Sequence, residues 1–589
     1  MNPPLSRKIA RRIRLVEIVF GVIMVLIGAR AVMLQLFNVN KLADKADKDL
    51  IKTIEIKGKR GNILDRHMKK LSTSLDAVSI AAAPEDIKSP HVTARTLSPL
   101  LHMEESLIAD RLASNKKFVW LKKKLSPGEG KKIKALNIPG ILTMQDTIRF
   151  HPSRELAAQV IGITGWNNRG KEGLEFKFDE ILRGKTKKIT VKKTTRQSTQ
   201  EMTRELSGNS LVLTIDKTIQ YITEMALKDA VTDNGAQSGM AIVMEPDTGD
   251  ILAMAHYPLF NPNAFGEFDP NNWRNRAVTD AFEPGSTLKI FLAAGALEQG
   301  ISSPDTPFFC GNGSYALGSR TIRDTHAHGW LTLAQIIKVS SNIGVAKVAQ
   351  LMGKNKLHTT LTRFGFGNKT GIACPIETKG TLMPPAQWSI MDTAAIAFGQ
   401  AISVSAIQLA CAVSAIANRG ILMVPRLIRA VIAENGTARE TYPPKVTGRA
   451  VSEKTASSVT RMMASVVQKG GTGTRAYLPG YGVCGKTGTA QKAIPHARGY
   501  SDNNYTALFV GFAPPKKPRL TCLVIVDEPR KSHYGGTVAA PAFKTILQKT
   551  FNYLNIPPDM GKYSSNIPSS PVWGCSQPGS SQYANMGRR

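Results

Sequence analysis

The chain has 589 residues, more than one hydrophobic core usually serves, so two or more domains are expected. Hydrophobic residues at 42% and charged residues at 21% exclude a disordered or fibrous protein. A formal charge of +33, from 77 Lys and Arg against 44 Asp and Glu, calls for an anionic neighbour: nucleic acid, anionic lipid or a carboxylate-bearing cell wall.

The first predicted element is a membrane anchor. Residues 15–37 (LVEIVFGVIMVLIGARAVMLQLF) are mostly apolar, and as a helix they span about 34 Å, enough to cross a bilayer. Arg7, Lys8, Arg11, Arg12 and Arg14 precede this run, whereas KLADKADKDL after it mixes both signs. The positive-inside rule therefore puts residues 1–14 in the cytoplasm as a basic tail and everything after about residue 38 outside. That placement excludes nucleic acid as a partner. The long apolar run and the internal arginine argue against a cleaved signal peptide. Arg30 is costly within lipid, so it calls for a hydrogen-bonding partner helix or for snorkelling.

Residues 38–205 read as a basic, mixed and extended module, with strand-like KTIEIKG, the turn KRGNILDR, then FVWLKKKL and IPGILTM. A second domain, 206–555, opens at SGNSLVLTID, followed by a helical pattern (KTIQYITEMALKDAV) and a hairpin whose turn is Pro246-Asp247-Thr248-Gly249. Near its end, YTALFVGFAP and LTCLVIVDEP form another hairpin before the helix-like PAFKTILQKTFNYL. Strands at both ends with helices between predict an α+β fold whose sheet joins the domain's two ends. Residues 556–589 turn to Ser, Pro, Gly and Asn and read as a disordered tail. The six cysteines contain no C-x-x-C and no Cys/His cluster, so neither a metal site nor a redox motif is supported, and buried free thiols are expected.

Three short motifs carry chemistry, and each has decoys. S-x-x-K occurs at Ser114–Lys117 and Ser286–Lys289; S-x-N at Ser207, Ser340, Ser501 and Ser564; K-T-G at Lys369 and Lys486. Lys117 sits among solvated lysines and keeps a pKa near the usual ~10.4, useless as a base at neutral pH. Bringing a lysine to about 7 destabilises its ammonium by roughly 4 to 5 kcal/mol, which burial or a second cation supplies. Ser286 meets this demand. Pro284-Gly285 permit a tight turn, Leu288, Ile290, Phe291 and Leu292 bury the helix, and i,i+3 spacing sets Lys289 beside the hydroxyl. A serine that merely caps a core helix is the competing structural explanation. Ser340-Ser341-Asn342 lies on a short connection after the amphipathic LTLAQIIKV, and Lys486 stands in YGVCGKTGTAQ, where small residues let a substrate backbone lie against a strand. Lys369 falls in a loop.

The ordered set S-x-x-K, S-x-N, K-T-G, with RGNILDR, GLEFKFDEILRG, TIDKTIQ, RNRAVTDAFEPGSTLK and YGGTVAAPAF, resembles the class B penicillin-binding proteins. Within them it is most similar to the division-specific branch, the penicillin-binding protein 3 type. One departure is that His67-Met68 follow Asp65-Arg66, where the family usually has a small residue and Gly, so a remodelled turn is expected. The resemblance implies a partner-binding pedestal over 38–205 and a transpeptidase domain over 206–555. It implies a penicillin-sensitive septal D,D-transpeptidase that needs no cofactor or metal and acts on peptidoglycan stem peptides. Ser286 would attack the D-Ala-D-Ala carbonyl; neutral Lys289 would be the base; Ser340 would relay a proton and Asn342 would hold the peptide amide and Lys289. Lys486 would supply positive potential that lowers the pKa of Lys289. Thr487, Gly488 and Thr489 would bind substrate, and the backbone N–H groups of Ser286 and Thr489 would form the oxyanion hole. The implied partners are β-lactams, a membrane-embedded glycosyltransferase of the SEDS family and other division proteins, at a single-pass position in the cytoplasmic membrane with the catalytic domain periplasmic. An elongation-specific transpeptidase, a β-lactam hydrolase or sensor, and a non-catalytic scaffold remain open on sequence.

Overall fold

The computed structural model describes residues 4–33, 35, 51–165, 167–192, 205–318, 320–493 and 499–558. Its first helix, Pro4–Val32, includes most of the basic tail and is exposed from Ile9 onward. The stretch Ile9–Val32, 24 residues, is long and apolar enough to cross a membrane, so the helix begins before the boundary at residue 15. Residues 34, 36 and 37 of the expected span lie outside the described residues.

The pedestal starts and ends in one antiparallel pair, Ile51–Lys57 with Thr186–Lys192. Between them, Lys70–Ala82 pairs with Val119–Leu125 on one side and Ile141–Phe150 on the other. Helices Pro90–Leu101, Glu105–Leu112 and Pro127–Ala135 cover one face, where Ile80, Ala82, Leu97, Leu101, Ile108, Leu112 and Ile133 make a small core. The last helix starts at a capping box, Ser126 with Glu129. Two of the quoted motifs meet in a buried charge cluster. Arg60 of RGNILDR donates to Glu175 of GLEFKFDEILRG at 2.5 Å and to Asp179 at 2.6 Å, while Arg149 donates to Glu175 at 2.6 Å. Burial alone would push the Glu175 carboxyl up, yet the Arg149 and Arg60 guanidiniums hold it below the usual carboxylate range.

The expected boundary at 205/206 is not a gap between sheets. Ser210–Leu213 pairs in parallel with Ile63–Leu64 of the pedestal and antiparallel with Ile428–Ile432 of the second domain. One seven-stranded sheet therefore crosses the joint. The departure at His67-Met68 sits in this joint. Met68 adopts a left-handed φ of 63°, the conformation a glycine would take without strain. His67 Nε2 lies 3.0 Å from Asp216 Oδ2, and Asp216 also caps the helix Lys217–Asp233 by accepting from Thr218 N. The turn thus carries a left-handed residue and contributes a contact between the domains.

The second domain is α+β as expected. Its antiparallel sheet runs Cys484–Ala493, Tyr500–Ala513, Leu520–Asp527, Ser238–Met244, Ile251–Tyr257, which joins the two ends of the domain. Alternate residues face opposite layers. Ala241, Val243, Phe509 and Val524 pack toward the helices Lys217–Asp233 and Ala540–Tyr553; Ile242, Met244, Leu508 and Leu523 pack toward a helical lobe that includes Lys289–Glu298, Ala406–Ala417 and Glu453–Val467. Both faces are covered, so these strands read as continuous apolar runs. Cys310, Cys374, Cys411, Cys484 and Cys522 are buried free thiols; Cys575, with most of the expected tail, lies outside the described residues. The chain is still packed just past residue 555, where Tyr481 OH donates to Ile556 O at 2.9 Å.

Candidate active site

Gly285–Leu288 form a 3-10 turn that leads directly into the helix Lys289–Glu298. In a 3-10 turn residues three apart eclipse, so Ser286 and Lys289 share one face. Gly285 has φ 52° and is clamped: a Cβ there would meet Thr489 O at 2.6 Å, and its N–H donates to Gly399 O at 3.1 Å. This close approach brings the K-T-G strand against the nucleophile turn. Gly488 serves it too, because a Cβ there would stand 3.0 Å from Pro284 O. Ser286 is half-buried, and among the described residues its hydroxyl makes no hydrogen bond. A capping role is therefore excluded.

Lys289 is fully buried. Its ammonium donates to Ser340 O at 2.6 Å, Ser340 Oγ at 3.2 Å and Asn342 Oδ1 at 2.7 Å, and not to Ser286, which differs from the expectation built on i,i+3 spacing alone. Three strong acceptors outcompete a neighbouring hydroxyl. Ser340 holds a left-handed φ of 65° at the C-terminus of the helix Leu333–Val339. That strained backbone aims both its carbonyl and its hydroxyl at the amine. Ser341 caps the next helix, Asn342–Met352, through Gly344 N at 2.9 Å.

Lys486, also fully buried, donates to the same Ser340 Oγ at 3.0 Å and to Thr487 O at 3.2 Å. Its strand, Cys484–Ala493, is an edge of the five-stranded sheet, as the small residues suggested. Thr487 Oγ1 lies 2.8 Å from Thr472 Oγ1, and Thr489 Oγ1 accepts from Gly535 N at 3.3 Å.

Burial lowers the pKa of Lys289 to about 7, against a raising influence from Asp324. Burial, and then the charge on Lys289, press Lys486 well below the ordinary lysine value. Lys289 and Lys486 share one hydroxyl, and desolvation dominates the lowering of both. The resemblance implied that Lys486 depresses Lys289; here burial is what lowers Lys289, and the charge influence runs from Lys289 onto Lys486.

The decoys go elsewhere. Ser114 donates to Arg111 O at 2.9 Å in the pedestal, Ser207 is at the domain joint, Ser501 lies in the strand Tyr500–Ala513, and Lys369 is exposed in a loop. Ser564 lies outside the described residues. Sequence reasoning missed Asp324, Gly399 and Thr472, which carry no recognisable spacing, and assigned no role to Gly535 although it quoted YGGTVAAPAF. A Cβ on Gly535 would meet Gly488 O at 2.4 Å, so that glycine lets the last helical segment seat against the K-T-G strand.

The comparisons with known proteins agree with this geometry. The family model for the penicillin-binding protein transpeptidase domain matches residues 239–548, and that for the penicillin-binding protein dimerisation domain matches 55–213. The chain is 35% identical over 568 residues to a probable peptidoglycan D,D-transpeptidase PbpC of Pseudomonas aeruginosa, covering 95% of this chain and 97% of the relative. It is 31% identical over 541 residues to the peptidoglycan D,D-transpeptidase FtsI of Escherichia coli, covering 90% of each. Among solved structures, penicillin binding protein 3 of Mycobacterium tuberculosis complexed with aztreonam is 29% identical with a TM-score of 0.69, covering 86% of this chain and 98% of that one. With a matching dimerisation domain, a matching transpeptidase domain and three motifs gathered around two buried lysines, the chain belongs to the class B penicillin-binding proteins of the penicillin-binding protein 3 type.

Proposed function

We propose that this centre cross-links peptidoglycan during cell division through an acyl-enzyme on Ser286. The observation that carries the reading is the meeting of Lys289, Ser340, Asn342 and Lys486, drawn from three distant segments, in one hydrogen-bonded cluster beside a hydroxyl that has no structural task. When Lys289 is neutral it takes the Ser286 proton as Oγ attacks the carbonyl carbon of the terminal D-Ala-D-Ala bond. The N–H groups of Ser286 and Thr489 receive the developing oxyanion. The C–N bond then breaks, and Ser340 passes a proton to the departing D-Ala amine. Thr487 and Thr489 hold the substrate carboxylate, Gly488 allows the close approach, and Asn342 orients the peptide amide. The amine of a second stem peptide attacks the ester, forms the cross-link and returns the proton to Ser286. A β-lactam enters by the same acylation.

Residues 38–205 serve as the pedestal and 206–555 as the catalytic unit. The basic N-terminus is cytoplasmic and the catalytic domain periplasmic, and Arg30 meets a membrane-embedded glycosyltransferase of the SEDS type within the division machinery. The test is mass spectrometry of the full-length protein after exposure to benzylpenicillin. An adduct on Ser286 that is absent from Ser286→Ala supports the reading; an unmodified Ser286 in folded protein overturns it.

A further inference from the structure

Asp324 follows the strand Arg320–Arg323, in a stretch that none of the three motifs includes. Its carboxylate has three partners, all in the S-x-N segment: Oδ2 accepts from Ser341 Oγ at 2.5 Å, and Oδ1 accepts from Asn342 N at 2.5 Å and Ile343 N at 3.1 Å. The preceding carbonyl, Arg323 O, accepts from Asn342 Nδ2 at 3.0 Å, which turns Oδ1 of that amide toward Lys289. We propose that Asp324 is a positioning residue of the acylation centre, setting the acceptors that hold Lys289 and placing a negative charge near that buried amine. This rests on the acyl-enzyme reading above.

Among the described residues, the groups facing Lys289 are few. Lys486 approaches from the sheet, Asp324 from the loop before the S-x-N connection, and Cys310 reaches Ser341 Oγ at 3.6 Å. Burial keeps the Cys310 thiol above its ordinary value, so it remains uncharged at neutral pH. Lys347, on the helix begun by Asn342, is engaged with Phe309 O at 2.7 Å. Asp324 is thus the carboxylate that offsets the desolvation of Lys289. Without its charge, Lys289 would release its proton at lower pH.

The experiment measures the rate of acylation of the full-length protein in detergent by a fluorescent penicillin from pH 5 to 9. For the wild type the rate is expected to rise with pH through a midpoint near 7. Asp324→Asn keeps the shape and most of the hydrogen bonding but removes the charge. Its midpoint is expected to move down by about one to two pH units, with a lower plateau rate. A purely structural role would lower the plateau and leave the midpoint in place, and that result overturns the inference. Should the Asn variant not fold, Asp324→Ser, which also removes the charge, is titrated instead: a midpoint displaced downward supports the inference, and a midpoint at the wild-type value overturns it. Failure of the wild type itself to be acylated at Ser286 would instead sink the reading on which the inference rests.

Discussion

The molecule buries charge in two places and treats it in opposite ways. In the pedestal, Arg60 and Arg149 close on Glu175 and Arg60 also on Asp179, so two cations and two carboxylates compensate one another. In the active site, Lys289 and Lys486 are buried side by side with a shared hydroxyl, and Asp324 is the carboxylate that acts on Lys289. Opposite charges out of water make a rigid joint, whereas an amine taken out of water with little compensating charge gives up its proton easily. The first arrangement holds shape; the second prepares a base.

The sharpest way to break that contrast is Lys289→Arg, which keeps a cation but removes a proton that can be given up near pH 7. Acylation by penicillin is expected to fall by about 10²–10⁴-fold with the fold intact, as read by stopped labelling and thermal unfolding together. On the pedestal side, Glu175→Gln leaves the buried Arg149 guanidinium without its carboxylate and Arg60 with Asp179 alone, and should cost about 3–5 kcal/mol in chemical denaturation, while the acylation rate of whatever remains folded is unchanged. Equal damage to acylation would show that the two clusters are not independent.

Glu224 lies between these regimes, a nearly fully buried carboxyl that accepts from the pedestal Ala157 N at 2.8 Å and from Gln220 at 2.8 Å. Burial pushes it up to about 7. Its folded pKa lies above the unfolded value near 4.5, so the folded state binds the extra proton and stability declines as pH rises between those limits. Glu224→Gln should therefore remove that decline and stabilise the protein by about 1–3 kcal/mol at pH 8, with little effect at pH 4, as measured by denaturant midpoints. The smallest effect expected is in the wild type alone. With Lys289 near 7, acylation at pH 6 should run about tenfold below its plateau, because only the neutral amine accepts the proton. A rate flat from pH 6 to 8 would rule out Lys289 as that acceptor.

Much of this site is legible in the sequence. Ser286 and Lys289 stand out because Pro284-Gly285 and the apolar helix after them create a buried turn, and neither Ser114 nor Lys369 has such a setting. The α+β sheet that joins the domain's ends follows from two hairpins at 238–257 and 500–527. The pedestal was less readable, since its long strand Lys70–Ala82 alternates irregularly and takes partners from 119–125 and 141–150. Asp324 and Gly399 left no trace, because a single residue joined to a distant one has no spacing to recognise. The turn at His67-Met68 could be flagged as a departure, but not its contact with Asp216.

By itself, the sequence determined which groups are available: a hydroxyl, two amines and an amide in a fixed order, an apolar anchor behind basic residues, and enough apolar strand to cover a sheet on both faces. Only the tertiary structure decided what those groups do. It set Ser340 in a left-handed backbone, drew Lys289 away from Ser286 toward three other acceptors, and ran one sheet through the joint between domains. The reason is that a side chain's proton affinity depends on what displaces water around it, and here those neighbours come from segments far apart along the chain.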